Sequence, residues 1–221
     1  MCIRDRNKSE AVQAIRKIKD TFGSTDLLIV YWSGHGANDN DNQFHFVLPS
    51  CENPEIALND DSLRDNGINA NDLARELTRL DGHIVVLLGT CFSGKAVTRI
   101  EDEVERLGRE TSRSGKGLMM ISSAGSKQEA FEDRDLKSSR FAYQLQKALL
   151  GQRTKGLDVP CCRKIDGECI VFTNSMSDYL VESMKHVTKG GQVPISSGFQ
   201  FKFFKLTKVD QESDSNTGGQ K

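Results

Sequence analysis

Apolar residues recur along this chain in two rhythms. Over residues 10–21, Val12, Ile15 and Ile18 return at helical spacing, with Asn7 or Ser9 as candidate cap and Gly23 as the stop. Leu27, Leu28, Ile29, Val30, Tyr31 and Trp32 then form a continuous apolar run of strand length. Such a run reads as a strand buried on both faces of a parallel sheet. Residues 84–88 and 118–121 repeat the pattern, and 44–48, ahead of Pro49, reads as an antiparallel excursion. Helices are predicted over about 71–80, 139–150 and 175–186. Their inward faces are Leu73, Leu77 and Leu80, then Phe141, Leu145, Ala148 and Leu149, then Met176, Tyr179, Leu180 and Met184, with Ser175 capping the last. Residues 199–206 make a final strand. Buried strands alternating with helices predict an α/β sandwich, mostly parallel.

Two segments stand apart. Residues 99–116 mix acids and bases with no apolar stripe past Leu107, and are expected to be a solvated helix fraying into a linker. From 209 onward Val209 is the one apolar residue, and the tail 209–221 is expected to be disordered. That leaves 7–208 as one domain. With 221 residues, 37% of them hydrophobic, the chain can bury one substantial core.

Charge and composition narrow the function. Thirty basic residues against 31 acidic leave a formal charge of −1, which excludes bulk attraction to nucleic acid or anionic membrane as the main business. No apolar run approaches the roughly 18–20 residues of a membrane span. The start carries Arg4, Arg6 and Lys8 followed by a mixed helix, not a signal peptide, so the expected compartment is cytoplasmic. Six cysteines are too few and too clumped for a disulfide scaffold of this length. The question becomes which of them reacts.

Two strand ends answer it. The first runs into Ser33-Gly34-His35-Gly36, the second into Gly89-Thr90-Cys91-Phe92-Ser93-Gly94. In a parallel sheet both carboxyl ends lie on one edge, where such folds place their sites. His35 and Cys91, 56 positions apart, therefore converge, each flanked by glycines that permit sharp turns and close approach. A thiolate beside an imidazole suits acyl transfer, and the imidazole then protonates the leaving amine. The amides of Gly36 and Cys91 are candidates for the oxyanion hole. Alone, a strand-end cysteine is usually core packing and a lone Ser-Gly-His-Gly is weak; together, on successive strands, they are a strong signal.

These residues resemble a family. The 27–36 stretch is similar to the histidine strand and loop of caspase-like proteases, above all metacaspases and their bacterial relatives, and 84–94 to their cysteine strand. Ile121-Ser122-Ser123-Ala124, Asp166-Gly167, the Ser175 helix and Gln192-Val193-Pro194 follow the same pattern, so the likeness covers roughly 7–206. It implies a caspase-like three-layer sandwich, a cysteine endopeptidase acting on protein or peptide, His35 as general base and acid, and Cys91 as nucleophile. It further implies Gly36 and Cys91 as oxyanion donors, and a substrate groove lined by Gly89, Ser122, Ser123 and Ala124. Gly89 stands where metacaspases carry an aspartate for basic residues and caspases a glutamine; the surrounding motifs favour a basic residue at the cleaved position. Of the acidic pair that binds calcium in metacaspases only Asp72 is present, so no cofactor is expected. The family's opening strand, helix and second strand have no counterpart before the first helix. Residues 1–6 (MCIRDR) do not continue its pattern and are set apart as a leader. The rival reading is a catalytically silent caspase-homology scaffold that binds peptides.

Weaker signals have plainer readings. Cys161, Cys162 and Cys169 lack the paired spacing and fourth ligand of a zinc site. A hairpin turning at Asp166-Gly167 brings Cys162 to Cys169, so a disulfide under oxidation is the better expectation. His45 and His83 read as surface or strand-edge residues, and Arg140 as a solvated helix-start arginine rather than a ligand for a substrate carboxylate. Arg106, Arg109 and Arg113 are candidate self-cleavage points.

Overall fold

The computed structural model describes residues 7–48, 60–91, 93–111, 117–133, 138–199 and 204–209. Residues 1–6, expected as a leader, together with Pro49, Phe92, Arg113 and the residues beyond Val209, lie outside them. In chain order the elements are α1 (Lys8–Ile18), β1 (Leu27–Ser33), β2 (His35–Asn38), β3 (Phe44–Val47), α2 (Asp60–Asn66), β4 (Gly67–Asn69), α3 (Ala70–Leu77), β5 (His83–Gly89) and α4 (Ser93–Thr111). Then come β6 (Gly117–Ser122), β7 (Glu132–Asp133), β8 (Ser138–Ser139), α5 (Arg140–Leu149), β9 (Arg163–Ile165), β10 (Glu168–Phe172), α6 (Thr173–Val187), β11 (Ser196–Phe199) and β12 (Lys205–Val209).

The central sheet has the order β1-β5-β6-β11, parallel through β6 and antiparallel at β11. Its two faces are sorted by the period-two alternation of strand side chains. Ile84, Val86 and Leu88 of β5 and Leu118 and Met120 of β6 meet α1, α3 and α4 in one core. Val85, Leu87 and Ile121 point the other way, to Phe141, Leu145 and Ala148 of α5 and Met176, Tyr179, Leu180 and Met184 of α6. Helices on both faces complete the three-layer sandwich. A second, antiparallel sheet, β2-β3-β4, springs from the end of β1, and a third, β12-β10-β9, lies beyond α5 and α6. No helix among the described residues is long and apolar enough to cross a membrane.

Caps stand where side-chain chemistry puts them. Asn7 accepts the Glu10 amide at 3.0 Å and Ser139 accepts that of Ala142 at 3.1 Å. Ser175 is not a cap: it sits in the first turn of α6, where its hydroxyl oxygen accepts the Phe172 amide at 3.0 Å. Asp166 and Gly167 take positive φ (51° and 83°), the backbone of a tight hairpin turn between β9 and β10. Cys162 and Cys169 flank that hairpin and are disulfide-bonded.

Several expectations are corrected. β1 is an edge strand among the described residues: Leu28, Val30 and Trp32 pack inward, but Ile29 and Tyr31 are 48% and 44% exposed. An apolar run alone does not say whether a strand has one neighbour or two. Of the segment expected as a solvated helix fraying into a linker, residues 99–111 are indeed helical as the later part of α4, and 112–116 lie outside the described residues. Ile100 and Val104 are buried, however, continuing a stripe that begins at Ala96 and Val97. Its charges hide that stripe because the helix begins at Ser93, before the charged stretch. Arg106 and Arg109 therefore lie within a helix rather than an open linker. In α1 the fully buried residues are Ala11 and Ala14, while Val12, Ile15 and Ile18 are partly buried, Ile15 packing against the same core. Leu149 is exposed, and Gln144 is buried in its place. The final strand is two strands, β11 and β12, and Val209 closes the second rather than opening the tail.

His45 is buried rather than at the surface, its Nε2 3.0 Å from Asp39 Oδ2. Burial pushes the Asp39 carboxyl up, but the Gln43 amide, His45 and Arg64 outweigh it and hold it below the ordinary value. The pair braces the β2–β3 hairpin. His83 is likewise buried, its ring 4.5 Å from that of Phe204.

Candidate active site

Pairing of β1 with β5 runs in register to the last residues, Ser33 opposite Gly89. His35 and Cys91 each stand two residues past that pair. The Gly34 amide donates to the Gly89 carbonyl at 3.4 Å, and there the chain leaves the central sheet to enter β2. His35, the first residue of β2, is exposed; Cys91, in the turn between β5 and α4, is partly exposed. The two loops touch. A Cβ on Gly36 would lie 2.6 Å from Thr90 Oγ1 and closer still to the Phe44 ring, so only glycine allows this approach. Glycine at 36 thus has a packing reason, whatever its amide does.

The His35 ring has no hydrogen-bond or ion-pair partner among the described residues, so no described carboxylate orients it. The two free cysteines among the described residues differ. Cys161 is buried, which pushes its thiol up, while Cys91 meets solvent. The Ala130 amide donates to Cys91 Sγ at 3.4 Å, and the thiol faces the Ala130 carbonyl at 3.9 Å. The Cys91 amide itself has no acceptor among the described residues. Just beyond it, α4 begins, and the amino end of a 19-residue helix favours negative charge at this spot.

Residues expected to line a groove sit deeper. Ser122, Ser123 and Ala124 are fully buried. The Ser122 hydroxyl donates to the Ala124 carbonyl at 2.9 Å and accepts the Ile195 amide at 3.0 Å. The Ser123 hydroxyl donates to the Thr90 carbonyl at 3.1 Å, and its amide to that of Leu88 at 2.7 Å. These side chains bolt the end of β6 to the end of β5 beneath the thiol. Gly89 is buried as well, and a Cβ there would meet the Trp32 carbonyl, the Tyr31 hydroxyl and the Phe141 ring at 3.3–3.7 Å.

The Ser93-Gly94 pair after the cysteine is explained by the same loop. Ser93 is fully buried and its hydroxyl accepts the Ala124 amide at 3.2 Å. The Gly94 amide donates to the Ala124 carbonyl at 2.9 Å, and a Cβ on Gly94 would lie 2.5 Å from the Ser126 nitrogen. Sequence reading had these residues as motif letters only. It missed Ala130, the sulfur's partner, and Gln128, which accepts from the Gly125 and Val193 amides at 3.1 and 2.9 Å. Nothing in local periodicity marks such long-range contacts. Arg140 is not simply solvated: its Nε lies 3.3 Å from Asp133 and its guanidinium over the Phe131 ring. Asp72 is ion-paired with Arg75 at 3.3 Å.

Comparison with known proteins agrees with this architecture. A family model described as the caspase domain matches residues 2–194. Among solved structures, protein GSU0716 from Geobacter sulfurreducens superposes with a TM-score of 0.50 at 14% identity, over 87% of this chain and 73% of that one. Raptor from Chaetomium thermophilum gives a TM-score of 0.40 at 14% identity, over 66% of this chain and 12% of its own length. At such identity the first likeness speaks for the fold and nothing finer. No curated protein matches the chain.

Proposed function

The chain belongs to the caspase-domain family, and from that premise we propose that it is a cysteine endopeptidase working through Cys91 and His35. One observation carries the reading: the Ser33–Gly89 register, with Gly36 against Thr90, supports a histidine and a solvent-accessible free cysteine as neighbours at adjoining strand ends.

In the proposed reaction His35 takes the Cys91 proton and the thiolate attacks the scissile carbonyl carbon. The carbonyl π pair moves to oxygen, and the oxyanion is met by the Cys91 amide, by that of Gly36 and by the amino end of α4. Preorganised donors of this kind are worth about 10²–10³ in rate each. Collapse breaks the C–N bond, His35 protonates the departing amine, and a thioester remains on Cys91. Water, deprotonated by His35, then hydrolyses the thioester and restores the thiol. No cofactor enters. A protein or peptide substrate follows, and the motif context favours Arg or Lys at the cleaved position.

A peptide library varied at that position is the test. Cleavage should be abolished by Cys91→Ala and cut by orders of magnitude by His35→Ala with an unchanged circular dichroism spectrum. Cys91 should also be the cysteine first labelled by limiting iodoacetamide. Unchanged single-turnover rates in His35→Ala, or labelling first at Cys161, would sink the dyad. A wild-type chain that binds peptides but never cleaves them would favour the scaffold reading.

A further inference from the structure

We propose that Gln192 is a positioning residue for the chemistry at Cys91, holding in place the loop whose main chain lies against the sulfur. The proposal rests on Cys91 being the nucleophile. Gln192 follows the turn that ends α6 and is fully buried. Its own amide donates to Thr188 Oγ1 at 3.0 Å, so its backbone is pinned. Its side chain spans two segments. Nε2 donates to the Ser123 carbonyl at 2.7 Å, and Oε1 accepts the Phe131 amide at 2.9 Å.

Each of those segments is linked to Cys91 by a different route. Ser123 is tied to β5 through the Leu88 and Thr90 carbonyls, directly before Cys91. Phe131 follows Ala130, whose amide and carbonyl face Cys91 Sγ. Gln192 therefore bridges the floor of the site and the loop that leans on the sulfur, through one donor and one acceptor. A neutral carboxamide of this length serves both ends. Glutamate keeps the acceptor for Phe131, but when ionised it opposes a carboxylate oxygen to the Ser123 carbonyl; methionine serves neither. Buried polar groups lose heavily when half their partners go, and an ångström's displacement of a reacting group costs about 10² in rate.

Gln192→Glu provides a signature that a purely structural role lacks. Its carboxyl, when protonated, regains a donor for the Ser123 carbonyl. Peptide cleavage should be measured for wild type, Gln192→Glu and Gln192→Met from pH 5.5 to 8.5, per mole of iodoacetamide-reactive Cys91 and below each variant's melting temperature. Near pH 8 both variants should lose about 10²-fold in kcat/KM, mostly in kcat. The Gln192→Glu deficit should shrink as pH falls, while that of Gln192→Met stays flat. If methionine prevents folding, the glutamate series alone carries the test. Wild-type kcat per reactive Cys91 in Gln192→Glu, or a deficit independent of pH, would overturn the proposal while leaving Cys91 as nucleophile. A wild-type chain in which Cys91→Ala changes nothing would overturn both.

Discussion

At the scale of single residues, glycines and small polar side chains decide how closely the two strand-end loops approach. Gly36 is the sharpest case, with Thr90 and Phe44 already occupying the place of a β-carbon. Gly36→Ala should therefore cost about 1–3 kcal/mol by overpacking and push the His35 loop away from Cys91. Chemical denaturation would read the first effect and the rate of Cys91 acylation by a peptide ester the second. A variant of wild-type stability and rate would mean that Phe44 simply moves aside. That His35 and Cys91 stand at adjoining strand ends was legible in the sequence, because each residue is bracketed by glycines at the end of an apolar run. The buried fate of Ser122, Ser123 and Ala124 was not, since their partners Thr90, Leu88 and Ile195 are distant in sequence.

At the scale of elements, α4 changes most between pattern and structure. Its buried face is braced by Glu103, which accepts from Arg106 at 2.8 Å within the helix and from Arg75 of α3 at 2.8 Å across it. The Arg106 hydrogen bond, against opposing burial and with Arg75 assisting, holds the Glu103 carboxyl down at about 2, from an ordinary 4.5. A carboxyl lowered on folding stabilises the folded chain above its unfolded value, and that contribution fades as pH falls through the folded one. Stability should thus decline between about pH 4.5 and 2, by up to about 3 kcal/mol from this group. Half-exposed arginine partners make that an upper bound. Glu103→Gln should flatten the slope in urea unfolding followed from pH 6 to 3, and an unaltered slope would remove Glu103 from the account. β1 tells the complementary story: an apolar run established a strand, but its exposed Ile29 and Tyr31 depend on which strands pair beside it.

At the scale of the whole molecule, the third sheet adds a covalent tie. The Cys162–Cys169 disulfide closes a short hairpin, and loops of that size contribute about 2–3 kcal/mol by restricting the unfolded chain. Cys162→Ser with Cys169→Ser should lower the melting temperature by roughly 4–12 °C in a domain this large, yet leave Cys91 labelling and peptide cleavage unchanged. A loss of cleavage in the folded double variant would tie this hairpin to the site. What the sequence determined by itself was local or periodic: the two core-forming strands, the helices after them, the hairpin at Asp166-Gly167, and the two strand ends that carry His35 and Cys91. Backbone propensity, apolar periodicity and turn chemistry act over a few residues, so they can be read along a chain. Tertiary structure alone decided what depends on distant partners: that the charged stretch of α4 covers a core, that Ser93 and Gly94 dock the β6 loop, and that Gln192 spans Ser123 and Phe131. Burial and hydrogen-bond satisfaction are properties of the packed whole, and a side chain's sequence neighbours do not contain them.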